Sequence, residues 1–109
     1  MTKVIINEQH TLLEDQKEKL VEKFGDFSLF KVPADGWDLE KMEEVQSELK
    51  QTATHVVFAS PIPVLLGRLA KDPSIVVHVL HNDRREKKEL PNGKVISVVA
   101  EKGWQIVTL

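Results

Sequence analysis

Apolar residues recur along the chain with two different periods, and the alternation of those periods predicts the fold. Val4-Ile5-Ile6 is a continuous apolar run ending in polar residues, the pattern of a strand covered on both faces of a parallel sheet. Thr11-Leu12-Leu13-Glu14 matches a capping box, in which the threonine oxygen accepts from the amide three residues on while the glutamate reaches back. Leu13, Leu20, Val21 and Phe24 then fall near one helical face, and Gly25 suits a left-handed end, so a helix over about Leu12 to Phe24 is predicted. Phe27 to Val32 reads as a second strand, closed by Pro33. The turn-like Pro33-Ala34-Asp35-Gly36-Trp37 leads into a second amphipathic helix, capped by Asp38 and carrying Leu39, Met42, Val45 and Leu49 at three- and four-residue spacing. Trp37 is expected to staple that helix start to the core. Val56-Val57-Phe58-Ala59 is a third buried strand. Ser60-Pro61 reads as the cap and first residue of a third helix with an apolar side of Ile62, Leu65, Leu66 and Leu69, and Pro63 is tolerated in its first turn.

Ser74-Ile75-Val76-Val77-His78-Val79-Leu80 is the longest strand signal. Strand and helix thus alternate three times before a fourth strand, and crossovers of this kind give parallel strands. Beyond residue 83 the alternation breaks. Arg84 to Leu90 and Lys94 to Val99 flank Pro91-Asn92-Gly93, which is hairpin chemistry, and Gly103-Trp104 precedes a last strand over Gln105 to Thr108. The expected fold class is α/β: a Rossmann-like parallel sheet of about four strands in the order 2-1-3-4, helices on both faces, and a C-terminal β-hairpin extension.

Composition narrows the function classes. A chain of 109 residues, 41% hydrophobic and 29% charged, is expected to form one domain over residues 1–109. It has no cysteine, which removes disulfide scaffolds, thiolate metal sites and cysteine nucleophiles. The start turns polar too early for a signal peptide and no apolar run reaches membrane-spanning length, so a cytoplasmic protein with no membrane partner is expected. Net charge is −2, which argues against a protein that coats duplex nucleic acid by charge. The charge is uneven, however: residues 1–50 hold 12 acids and 7 bases, residues 51–109 hold 5 acids and 8 bases. The basic stretch Arg84-Arg85-Glu86-Lys87-Lys88 reads either as a solvated hairpin face or as a local anion site.

In open parallel sheets the ligand crevice lies beyond the carboxyl ends of the strands, where the strand order reverses. With the order 2-1-3-4 that point falls between the first and third strands. Two loops should face each other there, Asn7-Glu8-Gln9-His10-Thr11 and Ser60-Pro61-Ile62-Pro63, each delivering a helix N-terminus suited to an anion. The end of the fourth strand, His81-Asn82-Asp83-Arg84-Arg85, reaches the same edge. His10 reads as a solvent-facing loop histidine or a proton carrier. Ser60 reads as a helix cap or a crevice hydroxyl, His81-Asn82-Asp83 as a turn or part of a site, and Trp104 as packing or a base-stacking ring. His78 is expected in the sheet. A metal site on His78 and His81 is not expected, because three residues apart on a strand they point to opposite faces. No Gly-x-Gly-x-x-Gly follows the first strand, no P-loop is present and no glycine-flanked serine forms a nucleophile elbow. A dinucleotide cofactor and an acyl-transfer hydrolase are therefore disfavoured, and no cofactor is expected.

The sheet-forming start, the polar loop with His10-Thr11 before a helix, the small-residue loop after the third strand, and the basic strand closing with Leu90-Pro91-Asn92-Gly93-Lys94 resemble the small CRISPR-associated Rossmann-fold group. The likeness is to the stand-alone ring nucleases that degrade the cyclic oligoadenylate signals of type III CRISPR systems. This resemblance implies a homodimer holding cyclic tetra-adenylate in a groove across its two-fold axis. It also implies metal-independent attack of a ribose 2′-hydroxyl on the neighbouring phosphate, which the protein aligns and stabilises. The assignment of roles comes from the crevice. His10, Ser60, Arg84 and Arg85 are the catalytic candidates, and Asn7, Glu8, Gln9, Thr11, Pro61, Ile62, His81, Asn82, Asp83 and Lys87 the ligand-binding ones. Two rival readings are a non-catalytic cyclic-nucleotide module or sponge, and a small protein-interaction domain using an exposed strand edge.

Overall fold

A computed structural model describes residues 1–109 as an α/β sandwich with a projecting β-arm. In chain order the elements are β1 (Thr2–Asn7), α1 (Glu14–Phe24), β2 (Ser28–Val32), α2 (Leu39–Thr52), β3 (His55–Phe58), α3 (Pro63–Ala70), β4 (Val76–His81), β5 (Arg85–Glu89), β6 (Val95–Val99) and β7 (Gln105–Thr108). The main sheet has the order β2-β1-β3-β4-β7. The expected order of the first four strands holds, with parallel pairing throughout. The fifth strand, β7, lies antiparallel against β4 and makes the sheet mixed, with His78 opposite Thr108 and His81 opposite Gln105.

The continuous apolar runs are explained by a core on each side of the sheet. Alternate residues of β1, β3 and β4, namely Ile5, Val56, Phe58 and Val77, pack with Val45 and Leu49 of α2 and with Leu65 and Leu69 of α3. The intervening residues Val4, Ile6 and Val57 face the other way, onto Leu12 and Leu20 at α1. Trp37 meets Phe30 edge-on at 5.7 Å between centroids, at the start of α2 as expected. Val21 and Leu39, expected on apolar faces, are 56% and 58% exposed, and Gln16 is buried on α1 instead. No helix is long and apolar enough to cross a membrane.

Helix starts follow the sequence at α2 only. Asp38 Oδ1 accepts from the Lys41 amide at 2.7 Å, as its capping chemistry predicts. At α1 the N-cap is Leu13, not Thr11: Gln16 supplies the returning side chain, its Oε1 accepting from the Leu13 amide at 2.9 Å. At α3 the N-cap is Ile62 and Pro63 occupies the first turn, so Ser60 is no cap. Pro61 and Ile62 precede the helix, Ile62 in an extended conformation, and the Ser60 hydroxyl goes to β1 instead, its Oγ accepting from the Asn7 amide.

β5 and β6 form a separate two-stranded sheet. The turn between them is closed by the Gly93 amide donating to the Leu90 carbonyl at 2.9 Å and the Leu90 amide donating to the Lys94 carbonyl at 2.7 Å. Gly93 has φ +83°, the left-handed conformation this turn needs. The arm is a continuation of the β4–β7 ladder. His81 pairs with Gln105 and Arg85 with Val99, so three residues on one side face five on the other, and the ladder breaks there. Asn82 braces this root: its amide nitrogen donates to the Lys102 carbonyl and its Oδ1 accepts from the Arg84 amide, both at 2.9 Å. A radius of gyration of 15.3 Å, against about 13 Å for a compact chain of this length, reflects the arm standing clear of the body.

Candidate functional site

The carboxyl ends of β1 and β3 lie side by side and are tied together by Ser60. The Ala59 and Ser60 amides both donate to the Ile5 carbonyl, at 2.9 and 3.1 Å. In return the Asn7 amide donates to Ser60 Oγ at 2.9 Å. The serine hydroxyl therefore extends the β1–β3 ladder by one rung past the end of β3. The β1 loop is braced equally closely. Asn7 Oδ1 accepts from the Gln9 amide, and Glu8 Oε1 accepts from the Ala34 amide beyond β2, both at 2.9 Å. Asn7 and Glu8 thus shape the loop, leaving Gln9, His10 and Thr11 exposed along it.

Two hollows flank Ser60 at this edge. One, of about 380 Å³, is walled by His10, Thr11, Gln16, Ser60, Val99 and Trp104, with Ile6, Leu13 and Ala59 at its floor. The other, of about 260 Å³, is bounded by Asn7, Ser60, Pro61, Ile62 and Pro63 on one side and Trp37 and Met42 on the other. The first opens toward α1, the second toward α2 and α3.

The two helix N-termini differ. The first turn of α1 carries Glu14 and Asp15, and Asp15 Oδ2 accepts from the Trp104 amide at 3.0 Å, so that end is already supplied with negative charge. The first turn of α3 holds no acid and no side chain caps it. Of the two, only α3 starts without an acid or a side-chain cap; Pro63 has no N–H and Leu65 is fully buried, so the donors it offers an anion beside Ser60 are the Ile62 and Val64 amides.

The structure divides the predicted residues between the two hollows, His10 and Thr11 in the first and Asn7, Pro61 and Ile62 in the second, with Ser60 common to both, while Glu8 and Gln9 line neither. The third predicted contributor falls elsewhere: none of His81, Asn82, Asp83, Arg84, Arg85 or Lys87 lines either hollow. Asn82 is committed to the arm root, and Arg85 and Lys87 lie on β5, exposed along its whole length. Trp104, for which the sequence favours packing over base stacking, is a wall residue of the crevice. Its indole Nε1 donates to the Ala100 carbonyl at 3.0 Å, which fixes the ring beside His10. Gln16 and Val99 carry no sequence signal for this site, because helical periodicity marks Gln16 as polar surface and nothing local tells where an arm strand ends against the body.

A second polar cluster lies in the α1 layer. His55 Nδ1 is 3.0 Å from His78 Nε2, and His78 Nδ1 is 2.8 Å from Thr108 Oγ1, a chain linking β3, β4 and β7. Phe24 of α1 packs on both imidazoles at 5.3 and 5.0 Å. Burial, then the neighbouring His55 and Lys23, lowers the His78 pKa from 6.5 to about 4, so the ring is neutral in the folded protein. His81 is exposed on the opposite face of β4, as its spacing from His78 predicts. The chain matches no protein-family model, no curated protein and no solved structure.

Proposed function

We propose that the protein binds a cyclic oligoadenylate, with cyclic tetra-adenylate the expected ring, across a homodimer and cleaves it without a metal. The observation that carries this reading is the pair of hollows sharing Ser60 at the point where the strand order reverses. Each has room for part of a nucleotide. Trp104 offers a ring face for a base, and the Ile62 and Val64 amides at the start of α3 suit a phosphate. In the proposed reaction His10 accepts the ribose 2′-hydroxyl proton while that oxygen bonds to the adjacent phosphorus. The bond from phosphorus to the 5′-oxygen breaks, and the leaving oxygen takes a proton, giving a 2′,3′-cyclic phosphate and a 5′-hydroxyl. Arg84 and Arg85 line neither hollow, so their part is longer-range attraction of the anionic ring and not contact with the reacting phosphate.

A binding protein without turnover is the second reading, and one observation favours it. Neither hollow is lined by Lys or Arg, and Ser60 Oγ already accepts a backbone hydrogen bond, which leaves little to stabilise a pentavalent phosphate. Incubation with cyclic tetra-adenylate, with and without chelator, followed by chromatography of the products separates the two. Linear product with a cyclic phosphate end, undiminished by chelator, is expected. Tight binding of an intact ring gives the second reading, and no binding at all overturns both. Within the first, His10→Ala should slow cleavage about 100-fold with little change in binding, the scale of a lost general base. Arg84→Ala and Arg85→Ala should weaken binding, most at low salt.

A further inference from the structure

The free edge of β5 is written as its own complement. β5 pairs only with β6, so its other edge is open, and all five of its residues are exposed. The Leu90 amide donates to the Lys94 carbonyl across the arm. Alternation along an antiparallel ladder then directs the backbone groups of Lys88 and Glu86 inward to β6, and those of Arg85, Lys87 and Glu89 outward to the open edge. Read antiparallel against itself about Lys87, Arg85-Glu86-Lys87-Lys88-Glu89 sets Arg85 opposite Glu89, Glu86 opposite Lys88, and Lys87 opposite Lys87. Every cross-strand pair except the one on the axis is of opposite sign. The same register also sets the outward-facing backbone groups of Arg85, Lys87 and Glu89 against those of the second strand. Moving the axis by one residue, to Glu86, keeps the backbone match but loses the charge match: Arg85 then meets Lys87 and Glu86 meets Glu86.

We infer that β5 is a docking edge for a second copy of this chain, joining two arms into a four-stranded antiparallel sheet β6-β5-β5-β6 about a two-fold axis at Lys87. Directly opposed charges of opposite sign favour a register and like charges oppose it: the axis at Glu86 creates like-charge pairs, and the axis at Lys88 keeps only the Lys87–Glu89 pairing, so the Lys87 axis holds the most opposite-sign pairs of the three. A bare two-stranded arm is marginal in water, and doubling its width supplies the missing ladder partners. The other open edge, on β6, carries Val95, Ile96, Ser97, Val98 and Val99, with no charge to specify a register. One short strand edge buries little surface, so the dimer is a micromolar, salt-sensitive one. It rests on the arm alone and stands without any nucleotide.

Sedimentation equilibrium of the full chain, with no nucleotide present, tests it. The wild-type protein is expected to dimerise, more weakly as salt rises to about 1 M. Lys88→Glu turns both Glu86 pairings into like-charge pairs and should raise the dissociation constant at least about tenfold. The double variant Glu86→Lys/Lys88→Glu restores opposite signs and should return it to near the wild-type value. Lys94→Glu, with the same change in net charge but lying off β5, should leave it unchanged. Circular dichroism of each variant confirms that the body is folded. A wild-type chain that stays monomeric at about 1 mM overturns the inference. So does a dimer that Lys88→Glu leaves as tight, or that the double variant fails to restore. Loss of nucleotide cleavage with this pattern intact would count against the proposed function and not against the docking edge.

Discussion

His78 is 2% exposed, makes one contact to each neighbouring strand and sits under Phe24, so its charge state is coupled directly to folding. Its pKa is about 4 when folded and about 6.5 when unfolded. Below the higher value the unfolded chain takes up a proton that the folded chain refuses, so stability is full above pH 6.5 and falls as pH drops toward 4. The displacement corresponds to up to about 3 kcal/mol. Chemical denaturation across this range should show that loss in the wild type, and His78→Phe should lack it while starting from lower stability. A wild-type curve that is no steeper than the variant's would remove His78 as the cause. Ser60 illustrates a different economy of residues. Its hydroxyl joins two strand ends and also borders both hollows, so Ser60→Ala combines a lost partner for the Asn7 amide, costing about 1–3 kcal/mol, with any effect on ligand. Stability and binding need separate measurement for that variant.

At the scale of elements, the helix caps show what a chain can and cannot announce locally. Asp38 caps α2 through its own side chain, a contact spanning three residues, and Asp38→Ala is expected to cost about 1 kcal/mol by thermal denaturation with the fold unchanged. Thr11 and Ser60 carry the same chemistry in the sequence and cap nothing. For Ser60 the hydroxyl is drawn 53 residues away, to the Asn7 amide, a partner that no local rule can see. For Thr11 the helix starts later because Gln16, two residues past the expected Glu14, supplies the return bond. The strands, their order and the hairpin turn were legible because continuous apolar runs, short crossovers and Pro-Asn-Gly are local signals. The position of β7 was not: Gln105 to Thr108 reads as a strand, but its choice of β4 depends on where the arm brings the chain back. The crevice was legible to the same extent as the strand order that creates it. The basic stretch failed as a wall of that crevice because sequence adjacency to β4 says nothing about the break in the ladder at Asn82-Asp83-Arg84.

For the molecule as a whole, the arm is an excursion from a ladder that closes again behind it. β4 leads out, β7 leads back, and the two lie hydrogen-bonded to each other in the sheet. Of the arm strands only the end of β6 meets the body, where Val99 borders the hollow beside Trp104. Arg84, Arg85, Lys87, Lys88 and Lys94 are all exposed on it or at its root and tip. A trypsin-like protease therefore meets its preferred residues on the part of the chain that stands furthest from the core. Cutting there severs the backbone without separating what the sheet holds: the β7 fragment stays paired along β4, with Thr108 on His78 and the Leu109 amide on the Val77 carbonyl. Limited digestion should give one species on a native sizing column and two fragments on a denaturing gel. Release of the β7 fragment under native conditions would show that the edge strand depends on the covalent connection. The fold thus carries a natural split point, and the fragment ending in β7 is a candidate for reconstitution with the rest of the chain when the two are made apart.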